Sequence, residues 1–534
     1  MQETDYDLLI IGGGIQGAGV AREAVLQGLK VLLCEKKDFL NATSSQSSKL
    51  IHGGLRYLES LELKLVHEAL FERKTILKSA KHAVYPLKFF IPRYSSNSRP
   101  FFIYRLGLWM YKMLAGRKII GSFGVEEGQS IQKKYSFLKE NFNKAAFYYD
   151  ARTDDFRLGL DWLLDAQKKG LNCLNYTEVK NVKKKDDCFY LQIESNGVSS
   201  TVTAKTVVNA AGPWVNDIDQ KIKHISRYNV KFGKGVHVLF ETDICLKEAF
   251  LLEVPNEKRI FFILPWKKNR ILVGTTDTEY QQSLEDIHAN ENDVNYIKQA
   301  LQHYVKSDYL SQLKPVALMA GVRPLVMRNS KSSQELSRGY EIEPTLEGMW
   351  NIVGGKYTVF REVGEKVVAE ILQYLNKDTQ CDSESLPLTN SPKEDLENFI
   401  QTNKAELINK LRINKEHAED FLKRYGKSWQ QLQVYFNTKD QIDIKPWIKS
   451  FSYYPQELIY SIEHEHCKTL EDYMMRRTSL FYTQSSGVEI IDEVLKVLHE
   501  KNQLSPKVIE KQKRDYLKKV ATMKNLLQKV FEPV

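Results

Sequence analysis

Apolar and polar positions change their period several times along the chain, and each change marks an element. Asp7–Ile11 (DLLII) is a short apolar run of strand type, Ile15–Gln27 carries helical spacing, and Val31–Cys34 (VLLC) is a second apolar strand. Continuous apolar runs of this kind are what strands buried on both faces of a parallel sheet look like, so the first 35 residues predict a β–α–β unit. From 179 to 211 the pattern becomes that of a β-meander. Tyr190–Ser195 alternates, Asn196-Gly197 offers a two-residue turn, and Val198–Val208 is rich in β-branched residues. A second hairpin is expected from Phe261–Leu264 through the polar Lys267–Arg270 to Ile271–Thr275. After Gly354-Gly355, Val359, Val363, Val367, Ile371 and Leu375 recur every four residues and predict a packed helix. Residues 376–395 turn polar and read as a linker. Beyond them the chain is helical in pattern, lysine-rich and almost free of glycine, which predicts a separate C-terminal helical domain.

Length and composition change this picture little. A chain of 534 residues holds about two to four domains with large cores. An apolar fraction of 42% and a charged fraction of 27% are those of an ordinary globular protein. The cysteines at 34, 173, 188, 245, 381 and 467 stand singly, which predicts reduced, structural thiols in a cytosolic setting and no metal site. The N-terminal segment has no basic region before its short apolar run, so no signal peptide is expected. No apolar run approaches the roughly 18 residues of a spanning helix. The net charge of +10 favours an anionic partner: a phosphorylated substrate, a lipid surface or nucleic acid.

Candidate chemistry begins at the first turn. Gly12, Gly14 and Gly17 form G-x-G-x-x-G between the first strand and its helix. In that setting one glycine permits a tight turn, the next lets backbone approach a diphosphate, and the third lets helix pack on strand. The helix N-terminus then presents unpaired N–H groups and a positive dipole end to the anion. Glu35 ends the second strand eighteen residues after Gly17, where a carboxylate accepts hydrogen bonds from an adenosine ribose. Together these features predict a dinucleotide site.

Residues 42–59, ATSSQSSKLIHGGLRYLE, resemble the segment that marks the FAD-dependent glycerol-3-phosphate dehydrogenases, within the FAD oxidoreductases related to D-amino-acid oxidase. VVNAAGPWV at 207–215, KGVHVL at 234–239, ILVGTTDTEY at 271–280, AGVRPL at 320–325, NIVGGKYTVFRE at 351–362 and LEDYMMRRTSLFY at 470–482 carry the resemblance along nearly the whole chain. The implied fold is α/β (α+β overall), a Rossmann-like FAD-binding domain with an antiparallel-sheet substrate domain and a C-terminal helical domain. The implied divisions are 1–80, 145–225 and 345–376 for FAD, 81–144 and 226–344 for the substrate or cap domain, and 390–534 for the helical domain. Thr43, Ser44, Ser45 and Ser48 offer hydroxyls to the diphosphate and flavin edges. Gly53 permits close approach to a flat ring, Gly212 joins the site, and Gly354, Gly355 and Thr358 open a second helix at the flavin pyrimidine.

The substrate implied by the resemblance is glycerol 3-phosphate, a dianion with a secondary alcohol. Arginine suits the phosphate because its fork holds two oxygens and never loses charge. Arg56, Arg338 and Lys356 are assigned to the phosphate, with Tyr57 as a phenolic donor. Arg323 is placed near the reacting oxygen and flavin, with a share in the phosphate as the alternative, and His237 is the expected base, with His52 as its rival. FAD is expected to be noncovalent, since no covalent-attachment motif is evident. Residues 85–120 hold seven Lys/Arg, nine aromatics and no acid, a composition suited to an anionic lipid interface. The resemblance adds a quinone acceptor and a peripheral position on the cytoplasmic face of the inner membrane, and leaves a homodimer open. An oxidase passing electrons to oxygen is the nearest alternative. An FAD-containing RNA-modifying protein is a remote one, so no nucleic acid is expected.

Overall fold

The first strand, Tyr6–Ile11, runs parallel to Val31–Cys34 on one side and to Val198–Asn209 on the other. The helix between the first two strands is Ile15–Leu26. Residues 8–11 are buried, as a strand covered on both faces requires. In this computed structural model, residues 4–532 are described except 60, 95–99, 256, 258, 268, 330–333, 338, 380 and 437–443. The first sheet has eight strands. Its main path runs Tyr340–Pro344, Met349–Gly354, Val198–Asn209, Tyr6–Ile11, Val31–Cys34, Asn172–Leu174. The expected meander is present as Thr177–Lys185, Cys188–Ser195 and Val198–Asn209. Asn196 and Gly197 both take positive φ, 50° and 78°, which is the conformation a two-residue primed turn demands.

The helix predicted after the glycine pair is a short 3-10 turn, Tyr357–Val359, leading into Phe360–Tyr374. It lies against Ile15–Leu26 so closely that a Cβ on Gly364 would stand 2.6 Å from the backbone of Gly19. A third helix, Asp155–Lys168, completes that layer. The Asp154 carboxylate caps it by accepting the Arg157 N–H, and Trp162 meets the Phe360 ring edge-on at 4.9 Å.

The second sheet has eleven strands and is antiparallel apart from the pairing of Ala249–Glu253 with Val84–Tyr94. The expected hairpin is there as Ile260–Trp266 and Arg270–Gly274. Strand Phe142–Thr153 crosses the anticipated division at 144/145 and pairs within this sheet throughout, with Val84–Tyr94 and with Leu50–Ile51. Helix Phe101–Ala115 buries Leu108, Tyr111 and Ala115 and leaves its opposite face exposed. No helix among the described residues is long and apolar enough to cross a membrane.

Helices from Leu396–Leu411 to Pro506–Phe531 form the C-terminal part. It is not detached. Phe531 meets Phe240 of the second sheet edge-on at 5.4 Å. The polar stretch 376–395 is strapped down rather than loose. Arg22 Nη2 donates to the Leu386 carbonyl (2.9 Å), Gln27 Nε2 to the Cys381 carbonyl (2.9 Å), and the Leu388 N–H to the Ser79 carbonyl (2.9 Å). Its backbone is held by side chains and a carbonyl of the neighbouring helices, while most of its charged side chains face solvent.

Candidate active site

A cavity of about 360 Å³ opens between the two sheets, beyond the C-terminal ends of the parallel strands. Gly12 and Gly14 line it at the start of the first helix. Gly12 has φ +108°, and a Cβ there would stand 2.7 Å from the Ala210 carbonyl oxygen. Gly17 does not reach the cavity. A Cβ at Gly17 would lie 2.0 Å from the Gly12 oxygen, so this residue lets the helix sit on the turn. Glu35 Oε2 accepts the Gly13 N–H and Oε1 the Lys37 N–H, each at 2.8 Å. Burial raises the Glu35 carboxyl above the ordinary range, against the pull of those two donors.

The serine-rich segment divides by role. Ser44 lines the cavity, and its Oγ accepts the Ile15 N–H at 2.9 Å, at the helix end where an anion is expected. Thr43 also lines it, with Oγ1 donating to the Val322 carbonyl (2.6 Å). Ser45 turns away: its Oγ donates to the Ala42 carbonyl, and its own carbonyl accepts Lys49 Nζ. Gly53 is also off the cavity. A Cβ there would stand 2.3 Å from Tyr111 Oη and 2.4 Å from Leu70, so packing of helices demands this glycine, while Gly54, at φ +74°, is the one at the cavity wall.

Gly212, Gly354, Gly355 and Thr358 also line the cavity. A Cβ on Gly355 would stand 2.5 Å from Gln16 Nε2, and Gln16 Oε1 is a buried acceptor with no hydrogen-bond partner among the described residues. An acceptor held in that way between two glycine turns fits a flat ring with N–H groups on its edge. Thr358 Oγ1 accepts the His52 N–H and donates to the His52 carbonyl, both at 3.2 Å, tying this wall to the 42–59 segment.

Cations gather at the same cavity. Arg56 and Tyr57 come from the turn Leu55–Leu58, and Lys356 Nζ sits 3.5 Å from the centre of the Tyr57 ring. Arg323 Nη2 donates to Thr275 Oγ1 at 3.1 Å, and Nη1 lies 3.5 Å from Asp277. All four line the cavity with His52. Arg338 lies outside the described residues. His237 is not among the lining groups. It is 1% exposed, its Nε2 is 3.0 Å from Ser48 Oγ, and Ser48 stands between it and the cavity. Burial, reinforced by the charges of Arg323 and Lys49, pulls its imidazole down to about 3. A buried strand position paired with Gly274 and Met319 accounts for this.

Gln16, Thr275 and Asp277 had no assigned role. Thr275 and Asp277 stand in the ILVGTTDTEY segment, but only the fold brings them opposite Arg323. Gln16 is a variable position inside the glycine motif and carries no signal of its own.

Residues 7–356 match the family described as FAD dependent oxidoreductase, and 381–508 match the C-terminal domain of alpha-glycerophosphate oxidase. A D-erythritol 1-phosphate dehydrogenase of Brucella abortus is 36% identical over 366 residues, covering 67% of this chain and 72% of that protein. An aerobic glycerol-3-phosphate dehydrogenase of Staphylococcus aureus is 30% identical over 529 residues, covering 96% of this chain and 93% of its own. The fold is shared with a glycerol-3-phosphate dehydrogenase from Bacillus halodurans complexed with FAD, at TM-score 0.77, 24% identity, and coverage of 100% and 97%. The chain belongs to the FAD-dependent oxidoreductases, in their glycerol-3-phosphate dehydrogenase/oxidase family, and FAD is its cofactor.

Proposed function

We propose that the protein oxidises sn-glycerol 3-phosphate to dihydroxyacetone phosphate and passes the electrons to a membrane quinone. The observation that carries this reading is the meeting of Arg56, Tyr57, Lys356 and Arg323 on one cavity with the glycine turn and Glu35. Gly12, Gly14, Ser44, Glu35, Gly355 and Thr358 hold FAD. When bound, FAD supplies the acceptor for the hydride that leaves substrate C2. Arg56 and Lys356 neutralise the phosphate, and the Tyr57 ring confines the lysine. Arg323, held by Thr275 and Asp277, faces the reacting oxygen. A ring nitrogen of His52 takes the hydroxyl proton. His52 is preferred over His237 because it lines the cavity and His237 does not.

Helix Phe101–Ala115 supports the membrane part. Phe102, Leu106, Trp109 and Met113 are 66%, 52%, 53% and 61% exposed, on one face at helical spacing, with Arg105 and Lys112 exposed beside them. Anaerobic mixing with glycerol 3-phosphate should bleach the flavin absorbance, and a quinone should restore it. Peroxide formed in proportion to turnover in air would replace this with the oxidase reading.

A second reading is favoured by the 36% identity to the erythritol phosphate enzyme: a longer polyol phosphate in the same site. Comparing kcat/KM for D-erythritol 1-phosphate and glycerol 3-phosphate separates the two.

A further inference from the structure

Asp38 lies three residues after Glu35 and is fully buried, yet its partners come from the other end of the chain. Arg476 Nε donates to Asp38 Oδ2 at 2.6 Å, Arg477 Nη2 to Oδ1 at 2.9 Å, and Arg477 Nη1 also to Oδ2. Asn175 Nδ2 donates to Oδ1 at 3.2 Å. Burial alone would raise the Asp38 carboxyl, but the charges of Arg477 and Arg476 outweigh it and hold it below the usual range. The two arginines sit side by side on one π-helical turn, Asp472–Arg477, whose Asp472 accepts from Arg476 Nη2 (2.7 Å) and from the Tyr176 hydroxyl (2.6 Å).

The loop that Asp38 anchors is the one that carries Glu35. Leu40 N–H donates to the Gly13 carbonyl at 3.0 Å, and the Phe39 ring sits so close that a Cβ on Gly13 would be 2.7 Å from it. The Tyr176 N–H donates to the Lys37 carbonyl at 2.9 Å. Glu35 is therefore fastened to the glycine turn at one end of a six-residue loop, 35–40, whose middle is fixed by the C-terminal arginines. Moving the loop would withdraw the buried Asp38 carboxylate from both arginines and leave Arg477 without its carboxylate partner, at the cost of an unpaired buried charge.

We propose that Arg476 and Arg477 are positioning residues for FAD, acting through Asp38 on the loop that presents Glu35 to the cofactor. The C-terminal helical domain thus completes the cofactor site without touching it. The proposal rests on the reading of Glu35 as the cofactor's carboxylate ligand.

The test is a double-mutant cycle on the full-length apoprotein, read as FAD affinity from quenching of flavin fluorescence and not as turnover. Glu35→Gln, Asp38→Asn and Arg477→Gln should each weaken FAD binding about tenfold or more, and in the Glu35→Gln background Asp38→Asn should add much less. Glu465→Gln is the control. It breaks the buried Arg157–Glu465 pair, which joins the same two parts of the chain at 2.6 Å, and should lower the melting temperature without weakening FAD. Arg476→Lys, which keeps the charge facing Asp38, should retain more FAD affinity than Arg477→Gln, and Arg477→Gln takes the place of Asp38→Asn in the cycle if the latter does not fold. Equal weakening by Asp38→Asn in both backgrounds, or wild-type FAD affinity in Asp38→Asn and Arg477→Gln, overturns the proposal while leaving Glu35 its role. Unchanged affinity in Glu35→Gln overturns both.

Discussion

Ser48 Oγ lies 3.0 Å from Nε2 of His237 and stands between that imidazole and the cavity. The other ring nitrogen, Nδ1, is buried without a hydrogen-bond partner among the described residues. A bare Nδ1 lone pair costs less in such a place than a buried N–H, so the favoured tautomer carries its proton on Nε2 and donates it to Ser48. In that state the His237 Nε2–H points at the serine oxygen and offers no lone pair on the Ser48 side.

Proton removal should therefore depend on His52. His52→Ala is expected to slow anaerobic flavin reduction by about 100- to 10,000-fold, the usual effect of losing a general base. His237→Ala should cost far less, and Ser48→Ala should mimic it. Stopped-flow flavin reduction at saturating substrate checks this. A loss in His237→Ala as large as in His52→Ala would return the base to His237.

Acid sensitivity should also trace to His237. Its folded imidazole titrates at about 3 against 6.5 for an ordinary histidine, so between those values the folded chain binds fewer protons than the unfolded chain. Stability must then fall as pH drops through that window, by up to roughly 1.4 kcal/mol per pH unit from this group. His237→Gln removes the titration. Its urea midpoint should change less than the wild type's between about pH 6.5 and about pH 4.5, and parallel profiles would reject the assignment.

Phosphate affinity should reside in Arg56 and Lys356. Removing one charged donor from a phosphate typically costs about 1.5–3 kcal/mol, or about ten- to a hundredfold in affinity. Arg56→Ala and Lys356→Ala should raise the substrate dissociation constant in that range, with inorganic phosphate losing its competition in both. A wild-type constant in either variant would remove that residue from the phosphate site.

Serine at Phe102, Leu106 and Trp109 should weaken binding to anionic vesicles and slow quinone reduction, while anaerobic flavin reduction by substrate stays intact. These side chains are exposed and do not line the cavity, and Tyr111, on the inner face of the same helix, is left in place. Each cation near an anionic surface adds roughly 1 kcal/mol and is screened by salt, whereas the rings supply a component that salt does not remove. Vesicle flotation with and without salt reads both parts. Undiminished flotation and quinone turnover in the triple variant would make the exposed stripe an ordinary surface.

The glycine turn, the strands beside it and Glu35 were legible because each is local: backbone conformation, a helix end and a carboxylate within one β–α–β unit. The Asn196-Gly197 hairpin and the helix after Gly355 were legible for the same reason. The placement of Ser45, Gly53 and His237 off the cavity was not, since direction matters there. Ser45 and Ser48 share a hydroxyl and a motif but only Ser48 lines the cavity, and Gly53 answers to Tyr111, which is 58 residues away in sequence. Glycine spacing records that room is needed, not what occupies it.

By itself the order of residues determined the dinucleotide turn, the alternation of strands and helices, and the set of cations suited to a phosphate. Those are properties of short segments, in which backbone preference and side-chain chemistry act within a few residues. Only the tertiary structure decided which histidine borders the cavity, that Thr275 and Asp277 hold Arg323, and that Asp38 is gripped by Arg476 and Arg477 from more than 430 residues away. Such choices depend on burial and on pairing across the chain, where a charge or a ring nitrogen takes its meaning from neighbours that the linear order does not bring together.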